Sequence, residues 1–138
     1  MKLKSKSQSG ASAVEFAIVL PILILLIFGI IEFSVALYDK TMITNASREG
    51  ARAGIVFSVP PVTDEEIINV VNTYLGNSLI TFGSPVAANT TVTRIDFNPG
   101  DELKVTVNYT YTFLLIPSFV TSLSGGINMM AETVMRME

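Results

Sequence analysis

Between Phe16 and Ile31 the chain offers no polar side chain, and only Pro21 and Gly29 disfavour a helix there. Extension through Glu32-Phe33-Ser34-Val35-Ala36-Leu37-Tyr38 makes the segment long enough to span a bilayer. A hydrocarbon core of roughly 30 Å needs about 20 helical residues. In hydrocarbon each backbone polar group must be bonded inside the segment, so the run is expected to be helical throughout. Pro21 is tolerated because neighbouring helices can meet the carbonyl it frees. Lys2, Lys4 and Lys6 flank the run on its N-terminal side, which places that end in the cytoplasm and exports the rest. Glu32 is expected near the outer boundary, its side chain reaching the interface.

A carboxylate at the threshold of a hydrophobic helix is costly unless something uses it. Glu15 stands there, five residues after Gly10 and beside Phe16. Assembly rather than catalysis is therefore the first expectation. Two plainer readings compete. Ser34-Val35-Ala36 would serve as a small-x-small cleavage site of a secretory signal. Alternatively the segment is an uncleaved anchor with Glu15 incidental at the interface. Against a signal stand Glu15 itself, the length of the run, and a helical pattern that continues past Ala36.

The 138 residues leave room for one small domain besides the membrane segment. Without Lys2, Lys4 and Lys6, the nine bases fall to half the twelve acids, so no basic patch points to nucleic acid. Cysteine and histidine are both absent. Thiolate chemistry is thereby excluded, and zinc sites and imidazole-based catalysis lose their commonest residues.

The helix is expected to continue over 39–57. Met42, Ala46, Gly50, Ala53 and Phe57 recur at spacings of three and four, while Lys40, Thr44, Arg48 and Arg52 fall on another face. Small residues in the middle of the stripe allow another element to approach the backbone closely. Packing of the downstream domain is the preferred reading of that stripe, ahead of a helix–helix assembly face. Val59-Pro60-Pro61 is expected to end the helix. From residue 11 to 57 it would be roughly 70 Å long at 1.5 Å per residue, far more than a membrane requires.

A second helix is signalled by the capping box Thr63-Asp64-Glu65-Glu66. Its apolar face is Ile67, Ile68, Val71, Tyr74 and Leu75, and Gly76-Asn77 ends it. Capping accounts for the acidic triplet, so no metal is assigned to it. An imperfect strand begins near Thr90 and takes in Val92, Ile95 and Phe97. Asn98-Pro99-Gly100-Asp101 reads as a type II turn. Leu103, Val105, Val107, Tyr109, Tyr111 and Phe113 then alternate as a strand with one buried face, on which the tyrosines read as packing residues. A last strand over Ile127–Met137 places Ile127, Met129, Ala131, Thr133, Met135 and Met137 on one face, the methionines as core filler. The connection Leu114–Leu123 carries no charge, and would cover the sheet, touch the membrane surface or bind a partner.

These pieces together resemble a known family. Gly10-Ala11-Ser12-Ala13-Val14-Glu15-Phe16-Ala17 followed by Leu20-Pro21 resembles the N-terminus of TadE-like proteins, as does Ser47-Arg48-Glu49-Gly50-Ala51-Arg52-Ala53 farther along. Pro99-Gly100-Asp101 and the ending Met135-Arg136-Met137-Glu138 are compatible with the family. The resemblance implies a pseudopilin of the tight-adherence, or Flp-type, pilus system within the type IV pilus superfamily. It implies a prepilin peptidase, a membrane-embedded aspartic protease, cutting after Gly10. Ala11 would become the mature N-terminus, with Glu15 fifth and Phe16 sixth. The length of the chain departs from the short, nearly all-helical major pilins and favours a minor subunit.

The expectation is thus an α+β, pilin-like protein. It comprises a cytoplasmic leader (1–10), a transmembrane helix (11–38), a helix continuation (39–57) and an extracytoplasmic domain (58–138) of one further helix and about three antiparallel strands. The candidate residues are Gly10 and Ala11 for processing, Glu15 and Phe16 for docking, and Arg48, Glu49, Gly50 and Arg52 beyond the membrane. Expected partners are the prepilin peptidase, other pilin-like subunits with the pilus machinery, and the lipid bilayer. Neither nucleic acid nor a small-molecule substrate is expected, nor a cofactor or metal. The alternative is a single-pass anchor presenting an extracytoplasmic binding domain. A carboxylate hydrolase built on Asp96, Asp101 and Glu102 ranks below both, since the turn accounts for those residues and no nucleophile–base pair is visible.

Overall fold

A computed structural model describes residues 8–81, 87–113 and 126–137. The leader's Lys2, Lys4 and Lys6 and the uncharged Leu114–Leu123 connection lie outside the described residues. Helix α1 spans Gln8–Gly54 and contains Pro21 without interruption. Helix α2 spans Asp64–Leu75. Strands β1 (Asn89–Arg94), β2 (Glu102–Tyr111) and β3 (Ile127–Arg136) form one antiparallel sheet in the order β1-β2-β3. Both helices pack on the same side of it, giving an α+β fold of two layers.

The strongest sequence signal sits at the centre. Leu103, Val105, Val107, Tyr109 and Tyr111 are all buried on the inner face of β2. Opposite them, Met129 and Ala131 of β3 are buried, and Met137 just past its end completes the row. The register pairs Tyr111 with Ile127 and Glu102 with Arg136. Asn98 to Asp101 forms the turn into β2, closed by Asp101 N–H donating to Asn98 O at 3.1 Å, with Gly100 at φ +94° as a type II turn requires.

Helix α2 begins as its capping box dictates. Thr63 Oγ1 accepts from Glu66 N–H at 3.3 Å and Glu66 Oε2 accepts from Thr63 N–H at 2.8 Å. Ile67, Val71 and Leu75 are buried, whereas Tyr74 is largely exposed. Asp64 adds an ion pair with Arg94 at the end of β1, tying the start of the helix to the sheet.

Three local expectations are corrected. First, α1 ends at Gly54 rather than Phe57. Ile55 N–H still bonds Ala51 O at 3.1 Å, after which the chain bends back towards Thr63. Second, the buried stripe of α1 is rotated from the expected one. It comprises Ala36, Asp39, Ile43, Ala46, Ser47, Gly50, Ala51 and Gly54, while Met42 and Ala53 are half-buried and Phe57 is exposed. Asp39, Ile43 and Ser47 continue the helical spacing, but two of them are polar and an apolar count passes over them. Third, β1 stops at Arg94, so Ile95 and Phe97 are not strand residues. Ile95 is 89 % exposed, and Phe97 lies under the Arg94 guanidinium at 4.1 Å.

Candidate assembly site

Residues 10–31 of α1 are exposed throughout. Gly10, Ala11 and Glu15 are exposed, Phe16 is 61 % exposed, and exposed apolar side chains continue to Ile31. Among the described residues none forms an ion pair with Glu15. The fold therefore brings Gly10, Ala11, Glu15 and Phe16 together on a single helical stretch, and recruits none of them into its own core. The apolar part of this helix is wholly exposed. It is long and apolar enough to cross a membrane, which makes it a candidate single-pass anchor.

The second group, Arg48, Glu49, Gly50 and Arg52, divides by role. Arg48 and Arg52 face solvent, and Arg52 donates to Glu49 Oε1 at 3.1 Å in an exposed i,i+3 pair of little energetic weight. Gly50 is buried at the crossing of α1 with α2. A Cβ there would stand 2.5 Å from Val71 Cγ2 and 3.5 Å from Val105 Cγ1. Gly54 makes the next close approach, one turn on, against Ile67 and Leu103. The small-residue stripe is thus used by the domain, as expected.

Sequence reasoning missed the polar contacts that fix the sheet to α1. Glu32 is only 3 % exposed, and its Oε1 accepts a 2.6 Å hydrogen bond from the Tyr111 hydroxyl. The carboxylate expected at an interface is instead covered by β2. One helical face farther on, buried Asp39 accepts from Ile80 N–H at 2.9 Å through Oδ1 and faces Tyr109. Burial pushes the Asp39 carboxyl above its ordinary value, against the lowering effect of Ile80 N–H and Tyr109. Burial likewise pushes the Tyr109 phenol up to about 12, with the Asp39 charge adding to it. The Tyr111 phenol is raised further still, by burial and then by its bond to Glu32. Ser47 donates to Thr44 O at 2.9 Å and meets Thr133 Oγ1 at 2.8 Å, so the Thr133 hydroxyl is the donor in that contact. Lys40 reaches the Met130 carbonyl of β3. The available signal was the seven-residue spacing of Glu32 and Asp39, matched by the two-residue spacing of Tyr109 and Tyr111 on one strand face.

Of the carboxylates weighed for hydrolysis, that of Asp96 is absorbed locally, and Asp101 is fixed through its backbone. Asp96 accepts from Phe97 N–H at 2.8 Å and from Asn98 Nδ2 at 3.2 Å, and Asp101 pairs through its backbone with Met137. Among the described residues no three acidic side chains converge on a common point that would hold a metal ion.

This geometry places an exposed apolar helix, with a carboxylate near its start, on a small domain built around its far end. Residues 10–52 match the TadE-like protein family. The match coincides with α1 almost end to end and stops before α2 and the sheet. No curated protein and no solved structure matches the chain. TadE-like segments are associated with Tad pili, with their pilin-like subunits and assembly machinery. The family is not known as enzymatic.

Proposed function

We propose that this chain is a minor pilin-like subunit acting in assembly of a tight-adherence pilus, cut after Gly10 by a prepilin peptidase. The observation that carries the reading is that the TadE-like segment starts at Gly10 and holds Glu15 and Phe16 on a stretch of α1, residues 10–31, that the fold leaves exposed. Cleavage would create a positive α-amine on Ala11, one helical turn from Glu15. In a low-dielectric setting a carboxylate without a partner is strongly disfavoured, whereas a carboxylate–amine pair is tolerated. Glu15 would therefore favour docking beside another processed helix, whose Ala11 amine supplies the partner. In this reading the helix over 11–38 lies in the bacterial cytoplasmic membrane, with the leader inside and the domain outside, where it can enter or prime the pilus.

The test is the N-terminal residue of the mature protein from membranes, read by mass spectrometry with and without the prepilin peptidase. The expected result is a peptidase-dependent start at Ala11. A start at Leu37 means a secretory signal, and an intact N-terminus in both strains means a plain anchor; either outcome rejects the proposal. In the processed protein, Glu15→Ala is expected to lower pilus production and leave membrane insertion unchanged.

A further inference from the structure

We propose that the end of the domain formed by the close of β2 and the start of β3 rests in the headgroup region of the bilayer that α1 spans, as a second membrane contact. The inference depends on α1 being a membrane span, and three observations lead to it.

The first is height along α1. Tyr111 at the end of β2 bonds Glu32, and Lys40 reaches Met130 of β3. The sheet therefore lies beside the stretch of helix from Glu32 to Lys40, about 12 Å long at 1.5 Å per residue. The second is the opposite side of that same stretch. Phe33, Leu37 and Tyr38 are exposed there, at 65, 52 and 44 %, and continue the bare apolar surface of residues 16–31 without a break. From Phe16 to Tyr38 that surface extends about 33 Å, slightly more than the roughly 30 Å of a hydrocarbon core. If Glu15 marks one boundary, the other falls beside the base of the sheet and not below it. An aqueous base would leave three large apolar side chains of α1 in water at the level where the sheet begins.

The third observation is charge segregation within the domain. No charged residue occurs between Lys104 and Glu132, so the last seven residues of β2 and the first five of β3 carry none. The charges sit at the other end, where Arg94, Asp101, Glu102 and Arg136 cluster around the turn. Of the charged residues of α1 beside that end, Glu32 is covered by the Tyr111 hydroxyl, Asp39 is buried against Ile80 and Tyr109, and Lys40 reaches the Met130 carbonyl. Ile127 is 43 % exposed at that end. Strand ends without charge and with an exposed aliphatic, next to a helix with exposed aromatics, match the interfacial zone of a membrane.

The chain has no cysteine, so single-cysteine variants report on one place each. The full-length protein, reconstituted in phosphatidylcholine–phosphatidylglycerol vesicles, would carry an environment-sensitive fluorophore at Ile127→Cys or Leu37→Cys. Ile24→Cys tests the span itself, Ile95→Cys marks the distal end, and Met130→Cys, 56 % exposed on β3, repeats the measurement should Ile127→Cys fail to fold. Lipids bearing a nitroxide near the headgroup are expected to quench the labels at 127 and 37 severalfold more than the label at 95, at any protein-to-lipid ratio. A label at 127 quenched no more than that at 95, while the label at 24 is quenched by deep nitroxide lipids, overturns the inference and leaves the span standing. Protection of 127 without lipid quenching, rising with protein density, assigns this surface to another copy and also overturns it. A label at 24 that escapes lipid quenching removes both the span and the inference.

Discussion

Gly50→Ala tests whether the distal half of α1 is a packing surface of the domain. In an isolated helix the change is favourable by about 1 kcal/mol, because glycine is the poorer helix former. Here the new Cβ would stand 2.5 Å from Val71 Cγ2, with Ile67 Cγ2 and Val105 Cγ1 both at 3.5 Å. Val71 is β-branched, buried and on a helix, so it has little freedom to rotate away, and α2 must shift instead. Overpacking of this kind costs about 1–3 kcal/mol, which exceeds the propensity gain in most of its range. The net expectation is a loss of about 1 kcal/mol, or a Tm fall of about 4–8 °C for a domain of this size. Thermal unfolding of the full chain in detergent, followed by the near-ultraviolet signal of its tyrosines, gives the number. Gly29→Ala is the control, since a Cβ there meets nothing within 4 Å. Combining Gly50→Ala with Val71→Ala should cost less than the sum of the two, because the second change removes the clash created by the first. A Gly50→Ala protein as stable as the parent, or additive losses in the pair, would refute the close approach.

Two further changes probe the contacts around that core. Thr63→Ala removes the side-chain half of the capping box and should cost about 1 kcal/mol in the same unfolding assay, whereas Thr63→Ser should cost much less. Asp39 has a raised carboxyl, so the folded state holds its proton more tightly than the unfolded one. Its contribution to stability is complete below the ordinary value of 3.8 and is lost as pH rises through the higher folded value. Asp39→Asn keeps an acceptor for Ile80 N–H and removes the charge, so the variant should gain on the parent as pH rises from 4 towards neutrality; parallel stability curves would refute this. At the alkaline end the raised Tyr109 favours its protonated form, so stability should be held below pH 10 and decline as pH climbs through about 12.

What the sequence disclosed followed from how local each signal was. The capping box around Thr63, the turn at Asn98–Asp101 and the alternation from Leu103 to Tyr111 are set by neighbouring residues, and all three are present as expected. The end of α1 and the rotation of its buried stripe depend on what packs against it. Gly54 meets Ile67 and Leu103, residues of two other elements, and no helical periodicity near residue 54 encodes that meeting. The carboxylate–tyrosine contacts were hidden for a related reason: Glu32 looks like a boundary residue until Tyr111 is placed over it. For the candidate site the fold adds no sign of its own, because it recruits none of Gly10, Ala11, Glu15 and Phe16. All four are exposed, so their meaning rests on sequence pattern alone.

That division bears on how variants of the TadE-like segment should be interpreted. The match covers residues 10–52, yet folding uses its two halves unequally. In the distal half, Ala46, Ser47, Gly50 and Ala51 are buried against α2 and the sheet, so a change there acts first on stability and only through it on assembly. In the proximal half no side chain from Val14 to Ile31 is buried, so a change there leaves the domain intact and acts on the membrane or on a partner. Arg48 and Arg52, like Phe33, Leu37 and Tyr38, are exceptions within the distal half, because they are exposed. An assembly defect from Gly50→Ala is consequently expected to be rescued by lowering temperature, while one from Glu15→Ala is not. The same loss of pili would have two physical origins, which the thermal unfolding curve of each variant separates.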